Sequence, residues 1–178
     1  MNKIPTIFVR AEKTHRIKTE CNPDCLWVFN GEGIATKKWD GTCCLIKDGK
    51  LYKRYDGNKS KFLPDDFVPN ENADSQWRGW RPVGDGPEDR WHIEGWRNTS
   101  EVLPNGTYEL IGPSVNGNPE KLDQHCFRKH GDIVYENVPR TFEELKSWLA
   151  DKNIEGVVFH HPDGRMAKIK KKDFGLHR

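Results

Sequence analysis

A lysine, a carboxylate and an arginine are brought close together by one short stretch of the sequence. The Asp-Gly pair at 48–49 is a strong signal for a two-residue hairpin turn, with apolar-rich runs on both sides. With that turn, Arg54 lies beside the start of the first strand of the hairpin, within reach of Asp40 and Lys38. A lysine becomes a nucleophile when burial or nearby cations favour loss of its proton. On this fragment alone, however, a solvated lysine ahead of an ordinary Asp–Arg pair is the simpler interpretation.

The composition predicts a folded domain with a wide polar groove. The chain has 178 residues, of which 31% are charged and 34% hydrophobic, and its seven Trp and eight Phe supply large buried surfaces. The net charge of +2 indicates no particular partner, but residues 165–172 place five cations in eight positions. Such clustering suits a phosphate-rich ligand.

The cysteines and the chain's apolar segments bear on its compartment. Five cysteines are present, and neither a signal peptide nor an apolar stretch of membrane-spanning length is recognisable. We therefore expect a cytoplasmic protein with reduced thiols and no membrane partner. Cys21 and Cys25 have loosely metal-like spacing, but no second pair matches it, so a structural zinc is not expected.

The elements that must position these residues are mainly strands. Seven segments carry strand signals: TIFVR, CLWVFN, TCCLIK, KLYKRYD, GTYELIG, GDIVYEN and EGVVFHH. One helix is predicted, where Thr141 and Glu144 form a capping box ahead of FEELKSWLADKN, with Phe142, Leu145, Trp148 and Leu149 on one face. Residues 64–98 are rich in Trp, Gly and Pro and predict a long irregular excursion, a kind of loop that often carries function. The sequence thus predicts one α+β domain over residues 1–178, with largely antiparallel sheets and few helices.

A series of short motifs resembles the covalent nucleotidyltransferases, which include DNA ligases, RNA ligases and mRNA capping enzymes. KWDG at 38–41 is similar to the K-x-D-G motif that holds the family's nucleophilic lysine. Five further segments resemble the family's later motifs and follow in the family's order: YKRYD, TYELIG, IVYEN, EGVVF and AKIKKK. The six together span residues 38–170, and this order and spacing are far more specific than any one of them. The resemblance implies a nucleotidyltransferase (ATP-grasp-like ligase) domain, and we expect no OB domain to accompany it.

The resemblance also implies a role for each motif residue. Lys38 would attack the α-phosphorus of a nucleotide, with neighbouring Lys37 outside the motif register. The other nucleotide-contacting residues would be Asp40, Arg54, Glu109, Tyr135, Lys168 and Lys170. Of these, the two lysines would contact the α-phosphate, Glu109 the ribose, and Tyr135 the base, although an ordinary core aromatic explains Tyr135 nearly as well. In strands, Lys168 and Lys170 point to one side, and Glu109 points away from its apolar neighbours Tyr108 and Leu110. Glu155 would bind Mg²⁺ or Mn²⁺, because both prefer hard oxygen donors.

Further segments favour RNA as the polynucleotide. YELIGPSVNGNPE, RKHGD and the Trp/Gly-rich excursion resemble the small family of ATP-dependent 5′-to-3′ RNA ligases also found in vertebrates. That resemblance implies ATP as the cofactor and RNA with 5′-phosphate and 3′-hydroxyl ends as the partner, joined through a lysyl-AMP intermediate. In the excursion, Arg78, Arg81 and Trp91 are candidate RNA contacts, because bases stack on aromatic rings while Arg binds phosphate.

Other functions also fit the same motifs. A minimal ATP-dependent DNA ligase would differ only in strand preference, and a capping guanylyltransferase would use GTP. A non-catalytic nucleic-acid-binding module on the same scaffold is the alternative from another class. The residues themselves leave open the natural substrate, the choice of ATP over GTP, the metal and the oligomeric state.

Overall fold

The structure is a computed structural model that describes residues 3–12, 14, 16–57, 62–70 and 75–178. The chain divides into two compact units. One contains residues 4–39 and 131–178 and is called the Lys38 unit below; the other contains residue 3 and residues 40–130 and is called the Glu109 unit. The prediction of one domain over 1–178 stays a prediction.

Strands dominate the described elements, as the sequence predicts. In chain order these are β1 Phe8–Arg10, β2 Ile17–Cys21, α1 Leu26–Phe29, β3 Ile34–Lys38, β4 Thr42–Lys47, β5 Lys50–Asp56, β6 Val68–Pro69, β7 Arg78–Pro82, α2 Arg90–Arg97, β8 Gly106–Ile111, β9 Cys126–Lys129, β10 Val134–Tyr135, α3 Phe142–Ala150, β11 Gly156–His160 and β12 Met166–Lys170. The strands pair antiparallel throughout their sheets, which confirms the α+β class. Among the described residues, no helix is long and apolar enough to cross a bilayer.

The Lys38 unit is built on a four-stranded sheet in the order β10-β3-β11-β12, with β1 and β2 paired separately. Its core fills one face of that sheet, where the alternate residues Val157, Phe159, Ala167 and Ile169 are buried. Helix α3 adds Leu145 and Leu149 to the same core, with Phe142 and Trp148 packed at its edge; these four are the face the sequence predicts.

The start of α3 differs in detail from the predicted capping box. Thr141 is the N-cap residue, but its hydroxyl donates to the Glu144 carboxylate at 2.6 Å and not to a backbone group. The Thr141 carbonyl accepts the first helical bond from the Leu145 N–H at 3.0 Å. The side-chain pair therefore marks the boundary correctly without closing the reciprocal backbone bonds of a capping box.

The Glu109 unit is built on a six-stranded sheet in the order β6-β7-β5-β4-β8-β9. The predicted hairpin is confirmed: Lys47 lies opposite Lys50 and Cys44 opposite Lys53, and the turn residues Asp48 and Gly49 have φ of 52° and 72°. One face of the sheet forms a second core, whose buried residues are Cys44, Ile46, Tyr108, Leu110, Val115 and Phe127.

Two predictions about elements are wrong. CLWVFN contains a short helix, α1, and no strand, because Asn22 and Pro23 start a helical turn in which the Asn22 side chain accepts from the Asp24 N–H at 3.1 Å. Trp27 and Val28 in this helix are buried in the first core. The excursion at 64–98 is not irregular, since β7 pairs along its length with β5 and α2 covers residues Arg90–Arg97. Its residues 71–74 lie outside the described part.

Candidate functional site

The sheet of the Lys38 unit brings three predicted site residues to one end of one strand. Lys38 is the last residue of β3, and its register partner on β11 is Gly156. Lys170, the last residue of β12, pairs with the same Gly156 from the other side. Glu155 directly precedes Gly156 in the chain. The antiparallel register therefore places the two lysines on either side of one carboxylate.

Glu155 is shared between the two lysines. Lys38 Nζ lies 2.5 Å from Glu155 Oε2, and Lys170 Nζ lies 2.5 Å from Glu155 Oε1. The Glu155 side chain is only 12% exposed, so these bonds are shielded from water. Burial acts to raise the pKa of the Glu155 carboxyl, but the Lys38 and Lys170 cations outweigh it and hold that pKa below its usual value.

Lys168 adds a third cation to this cluster. It lies two residues before Lys170 in β12, so the two side chains point to the same face of the sheet, as the sequence predicts. Burial, followed by the charges of Lys170 and Lys38, lowers the pKa of Lys168 to about 8. Lys168 therefore titrates close to neutral pH, where an ordinary lysine stays fully charged.

The strand that carries Lys168 and Lys170 is fixed at both of these residues. At Lys168 the backbone N–H donates to the Pro5 carbonyl at 2.9 Å, and the carbonyl accepts from the Ile7 N–H at 3.0 Å. At Lys170 the backbone N–H donates to Asp173 Oδ2 at 3.0 Å. Asp173 is 2% exposed and was not among the predicted residues, because nothing in its local sequence marks it as a buried carboxylate.

Lys37 and Tyr135, also in the Lys38 unit, each pack against an aromatic ring. Lys37 Nζ lies 3.7 Å from the centre of the Trp39 ring, which separates its environment from that of Lys38. Tyr135 in β10 is half-buried against the first core, with its ring edge-on to Trp148 at 5.5 Å between centroids. These contacts match the core-aromatic alternative for Tyr135, and its role in stacking on a base stays a prediction.

The Glu109 unit holds the second half of the K-x-D-G motif. The Asp40 carboxylate accepts a hydrogen bond from the Asn116 side chain at 2.9 Å, and the same amide donates to the Gly41 carbonyl at 3.1 Å. Gly41 is required sterically, because a Cβ there would lie 2.1 Å from the Leu110 carbonyl oxygen. The close approach that this glycine allows is thus to strand β8.

Glu109 contacts the Gly41 N–H and the His130 ring on the face of the sheet opposite the second core. Tyr108 and Leu110 are buried in that core, and Glu109 points the other way, as the sequence predicts. Its Oε1 accepts from the Gly41 N–H at 3.2 Å, and its Oε2 lies 2.7 Å from His130 Nε2. His130 lies within RKHGD, but its contact with Glu109 depends on the pairing of β8 with β9, which local sequence does not reveal.

Arg54 and Arg78 share one carboxylate on the sheet of the Glu109 unit. Arg54 Nε lies 3.0 Å and Arg78 Nε 3.3 Å from the carboxylate of Asp56. Lys38 pairs with Glu155 and Asp40 with Asn116, and the proximity of Arg54 to Lys38 and Asp40 stays a prediction. The sequence could not reveal these two pairings, because Glu155 and Asn116 lie far along the chain.

The candidate RNA contacts do not share one surface. Arg78 and Arg81 are three residues apart in β7, so their side chains point to opposite faces of the sheet. Arg81 is held by Asp66 through two bonds of 2.8 and 3.0 Å. Trp91 in α2 is stacked on His125 at 4.7 Å with Arg90 over its ring, so it helps to pack the helix on the sheet. An RNA-binding role for the three stays a prediction.

Comparison with known proteins identifies relatives of this chain. A family model described as RNA ligase 1 matches residues 97–178. RNA ligase 1 of Danio rerio is 37% identical, in an alignment that covers 80% of this chain and 67% of the relative. RNA ligase 1 of Mus musculus and that of Rattus norvegicus are each 26% identical, over 84% of this chain and 68% and 69% of the relatives.

Proposed function

Because the chain belongs to the RNA ligase 1 family, we propose that it is an ATP-dependent RNA ligase acting through a lysyl-AMP intermediate on Lys38. Its substrates would be RNA ends that carry a 5′-phosphate and a 3′-hydroxyl. The observation that carries the proposal is the largely buried Glu155 carboxylate shared by Lys38 and Lys170, with Lys168 beside them. A structural ion pair needs only one cation per carboxylate. Three lysines around one carboxylate carry an excess of positive charge, which can bind a phosphate.

In the first step, the Lys38 amine would attack the α-phosphorus of ATP. A P–N bond forms, the P–O bond to pyrophosphate breaks, and pyrophosphate carries the negative charge away. The amine must lose a proton for this attack, and Glu155 Oε2, at 2.5 Å, is an acceptor within reach. The carboxylate also fixes the direction of the Lys38 side chain, because it holds Nζ by a charge-assisted hydrogen bond.

Lys168 and Lys170 would stabilise the charge on the α-phosphate oxygens. Phosphoryl transfer depends mainly on positioning and on cations around these oxygens. The β12 strand presents both ammonium groups on one face, and its backbone is fixed by hydrogen bonds at both residues. Glu109 would accept a hydrogen bond from the ribose, Asp40 would orient Lys38 or act near the metal, and Arg54 would hold a phosphate.

Glu155 is the residue that would hold a divalent cation in the Lys38 unit. A carboxylate is the donor that Mg²⁺ and Mn²⁺ prefer, but both Glu155 oxygens are engaged by lysines, so one of those bonds must be exchanged for the ion. A bound cation would neutralise negative charge on the phosphates.

Two further transfers would complete ligation. An oxygen of the RNA 5′-phosphate attacks the lysyl-AMP phosphorus, the P–N bond breaks, and Lys38 recovers its proton. The 3′-hydroxyl then loses its proton to solvent and attacks the activated 5′-phosphate, so that a phosphodiester forms and AMP leaves. Both attacks produce the same kind of charge on phosphate oxygens, so the same lysines serve each step.

Intact-protein mass spectrometry after incubation with Mg²⁺ and either ATP or GTP tests the proposal. We expect the wild type to gain the mass of AMP with ATP, Lys38→Ala to gain none, and Lys37→Ala to behave as the wild type. An adduct that persists in Lys38→Ala would refute the assignment of the nucleophile. No adduct with either nucleotide, in protein shown to be unadenylated at the start, would favour a binding module instead.

Nicked duplexes that differ only in sugar type test the choice of polynucleotide. We expect sealing of an all-RNA or RNA-containing nick with a 5′-phosphate and a 3′-hydroxyl. Preferential sealing of an all-DNA nick would instead identify a minimal DNA ligase.

A further inference from the structure

Three side chains of different chemistry converge in the Glu109 unit. Cys43, Glu109 and His130 each present one potential ligand atom, and these three atoms lie within 4.8 Å of one another. They are a thiol sulfur, a carboxylate oxygen and an imidazole nitrogen. This set is unlike Glu155, which offers only hard oxygen donors.

The convergence follows from the pairing of three neighbouring strands. Cys43 in β4 is the register partner of Glu109 in β8, so their side chains stand side by side on one face of the sheet. His130 follows β9, the strand on the other side of β8, and its N–H donates to the Thr107 carbonyl at 3.1 Å. Regular antiparallel pairing therefore builds this set, with no special loop needed.

Two of the three ligands are already oriented by other groups. Thr107 Oγ1 lies 2.9 Å from His130 Nδ1, so a tautomer with the proton on Nδ1 donates to the hydroxyl and leaves Nε2 free to bind a cation. The Gly41 N–H holds Glu109 Oε1, which leaves Oε2 for the same cation. Such partners are the usual support of metal-binding histidines and carboxylates.

We propose that Cys43 Sγ, Glu109 Oε2 and His130 Nε2 form a site for a thiophilic divalent cation of the Zn²⁺ class. Zn²⁺ accepts thiolate, imidazole and carboxylate ligands together, and its tetrahedral bonds place ligand atoms about 3.3–3.8 Å apart. The three atoms here lie within 4.8 Å of one another, with 2.7 Å between Glu109 Oε2 and His130 Nε2, so small side-chain movements bring them to that spacing. On binding, Cys43 releases its thiol proton to solvent, His130 carries its ring proton on Nδ1 so that Nε2 binds the ion, and the direct Glu109–His130 contact opens. The fourth position stays open for water.

Occupancy of this site would compete with nucleotide binding. This consequence rests on the proposed function, in which Glu109 accepts a hydrogen bond from the ribose. An ion on Oε2 takes one carboxylate oxygen, while the Gly41 N–H keeps the other. The bound cation would thus act as an inhibitor of adenylation, in contrast with the hard cation expected at Glu155.

Metal binding is tested first on the nucleotide-free full chain, with Co²⁺ as a spectroscopic probe and Zn²⁺ measured by competition with a chromogenic chelator. We expect one equivalent, with a thiolate-to-cobalt charge-transfer band and visible bands of tetrahedral strength. Cys43→Ala and His130→Ala should each lose the site, with a loss larger than the about ten- to hundredfold expected for Thr107→Val. If the wild-type protein shows no thiolate–cobalt band, that result alone overturns the proposal.

The matched control is Cys126→Ala in β9 of the same unit. Cys126 is also half-buried, and it is not among the three converging ligands. This variant should keep the Co²⁺ spectrum and the Zn²⁺ affinity. If it loses them while Cys43→Ala keeps them, the ligand assignment is wrong.

The competition is tested by adenylation at fixed free Zn²⁺, set by a metal buffer, with Mg²⁺ and ATP in excess. Adenylation of the wild type and of Cys126→Ala should fall as the site fills, whereas Cys43→Ala should keep its activity. Equal inhibition of Cys43→Ala would overturn the competition. Absence of any adduct in Zn²⁺-free wild type would count against the proposed function and would leave the Co²⁺ result standing.

Discussion

The two units use similar antiparallel sheets to build opposite electrostatic environments. In the Lys38 unit, the ends of β3 and β12 bring three cations to one largely buried carboxylate. In the Glu109 unit, β4, β8 and β9 place a carboxylate beside an imidazole, a thiol and a backbone N–H. The first arrangement is suited to the charge of phosphates, the second to a hydroxyl group or a soft cation. Similar strand pairing thus supports different chemistry, because register decides which side chains meet.

Replacing Glu155 should have the largest effect, since it removes the shared acceptor of the Lys38 unit. Glu155→Ala leaves Lys38 and Lys170 without their carboxylate, so we expect loss of the AMP adduct and about 3 kcal/mol less stability towards urea. Because the folded pKa of Glu155 is lowered, its pairing stabilises fully above the reference value of 4.5 and is lost as pH falls below it. Glu143→Ala, an exposed carboxylate of α3, is the control and should change neither measurement. Retained adenylation in Glu155→Ala would contradict this account.

The role of Glu109 in the Glu109 unit is tested by the preference of the protein for one nucleotide over another, and not by its stability. If Glu109 accepts a hydrogen bond from the ribose, the wild type should use ATP in preference to 2′-deoxy-ATP, and Glu109→Ala should lose that preference. The expected loss in kcat/KM for ATP is about tenfold to hundredfold, the value of a hydrogen bond to a charged group. An equal preference in wild type and variant would remove Glu109 from the nucleotide contacts.

The pKa of Lys168 predicts a pH effect that is specific to the Lys38 unit. With a pKa of about 8, Lys168 loses its charge as pH rises through that value and should release the phosphate. The ratio of wild-type to Lys168→Arg kcat/KM should fall about threefold as pH rises from about 7.5 to about 8.5, because a guanidinium stays charged. A ratio that does not change with pH would contradict the low pKa.

The same shift has a consequence for stability. The folded pKa of Lys168 lies below its reference value of 10.5, so the unfolded chain binds more protons between the two values. The contribution of Lys168 to stability therefore improves as pH rises from about 8 towards 10.5. Urea unfolding of wild type and Lys168→Met over this range measures it, and the variant should lack this improvement.

The smallest effect is expected from the two arginines of β7. Arg78 lies on the same face of the sheet as Arg54, whereas Arg81 points to the other face and is held by Asp66. If RNA binds along the face that carries Arg54, Arg78→Ala should weaken binding of nicked RNA several-fold and reduce the salt dependence of that binding. Arg81→Ala should change both quantities less. Stronger weakening by Arg81→Ala would place the RNA on the opposite face.

Sequence reasoning was most successful where the signal is local. The Asp48-Gly49 turn fixed the β4–β5 register, alternation placed Glu109 opposite Tyr108 and Leu110, and spacing put Lys168 and Lys170 on one face. It was weakest between residues 64 and 98. There Gly and Pro suggested irregular structure, but pairing with β5 imposes a strand. A strand of five residues has little intrinsic signal, since its stability comes from the neighbour that it pairs with.

The sequence by itself determined the family, the mainly antiparallel α+β class and the residues that resemble the nucleotidyltransferase motifs. Only the tertiary structure decided their partners: Glu155 for Lys38, Asn116 for Asp40, and His130 for Glu109. Each partner lies between 21 and 117 residues away along the chain. Local propensity and periodicity act over a few residues, whereas such contacts depend on strand order and register, which the packing of the whole sheet selects.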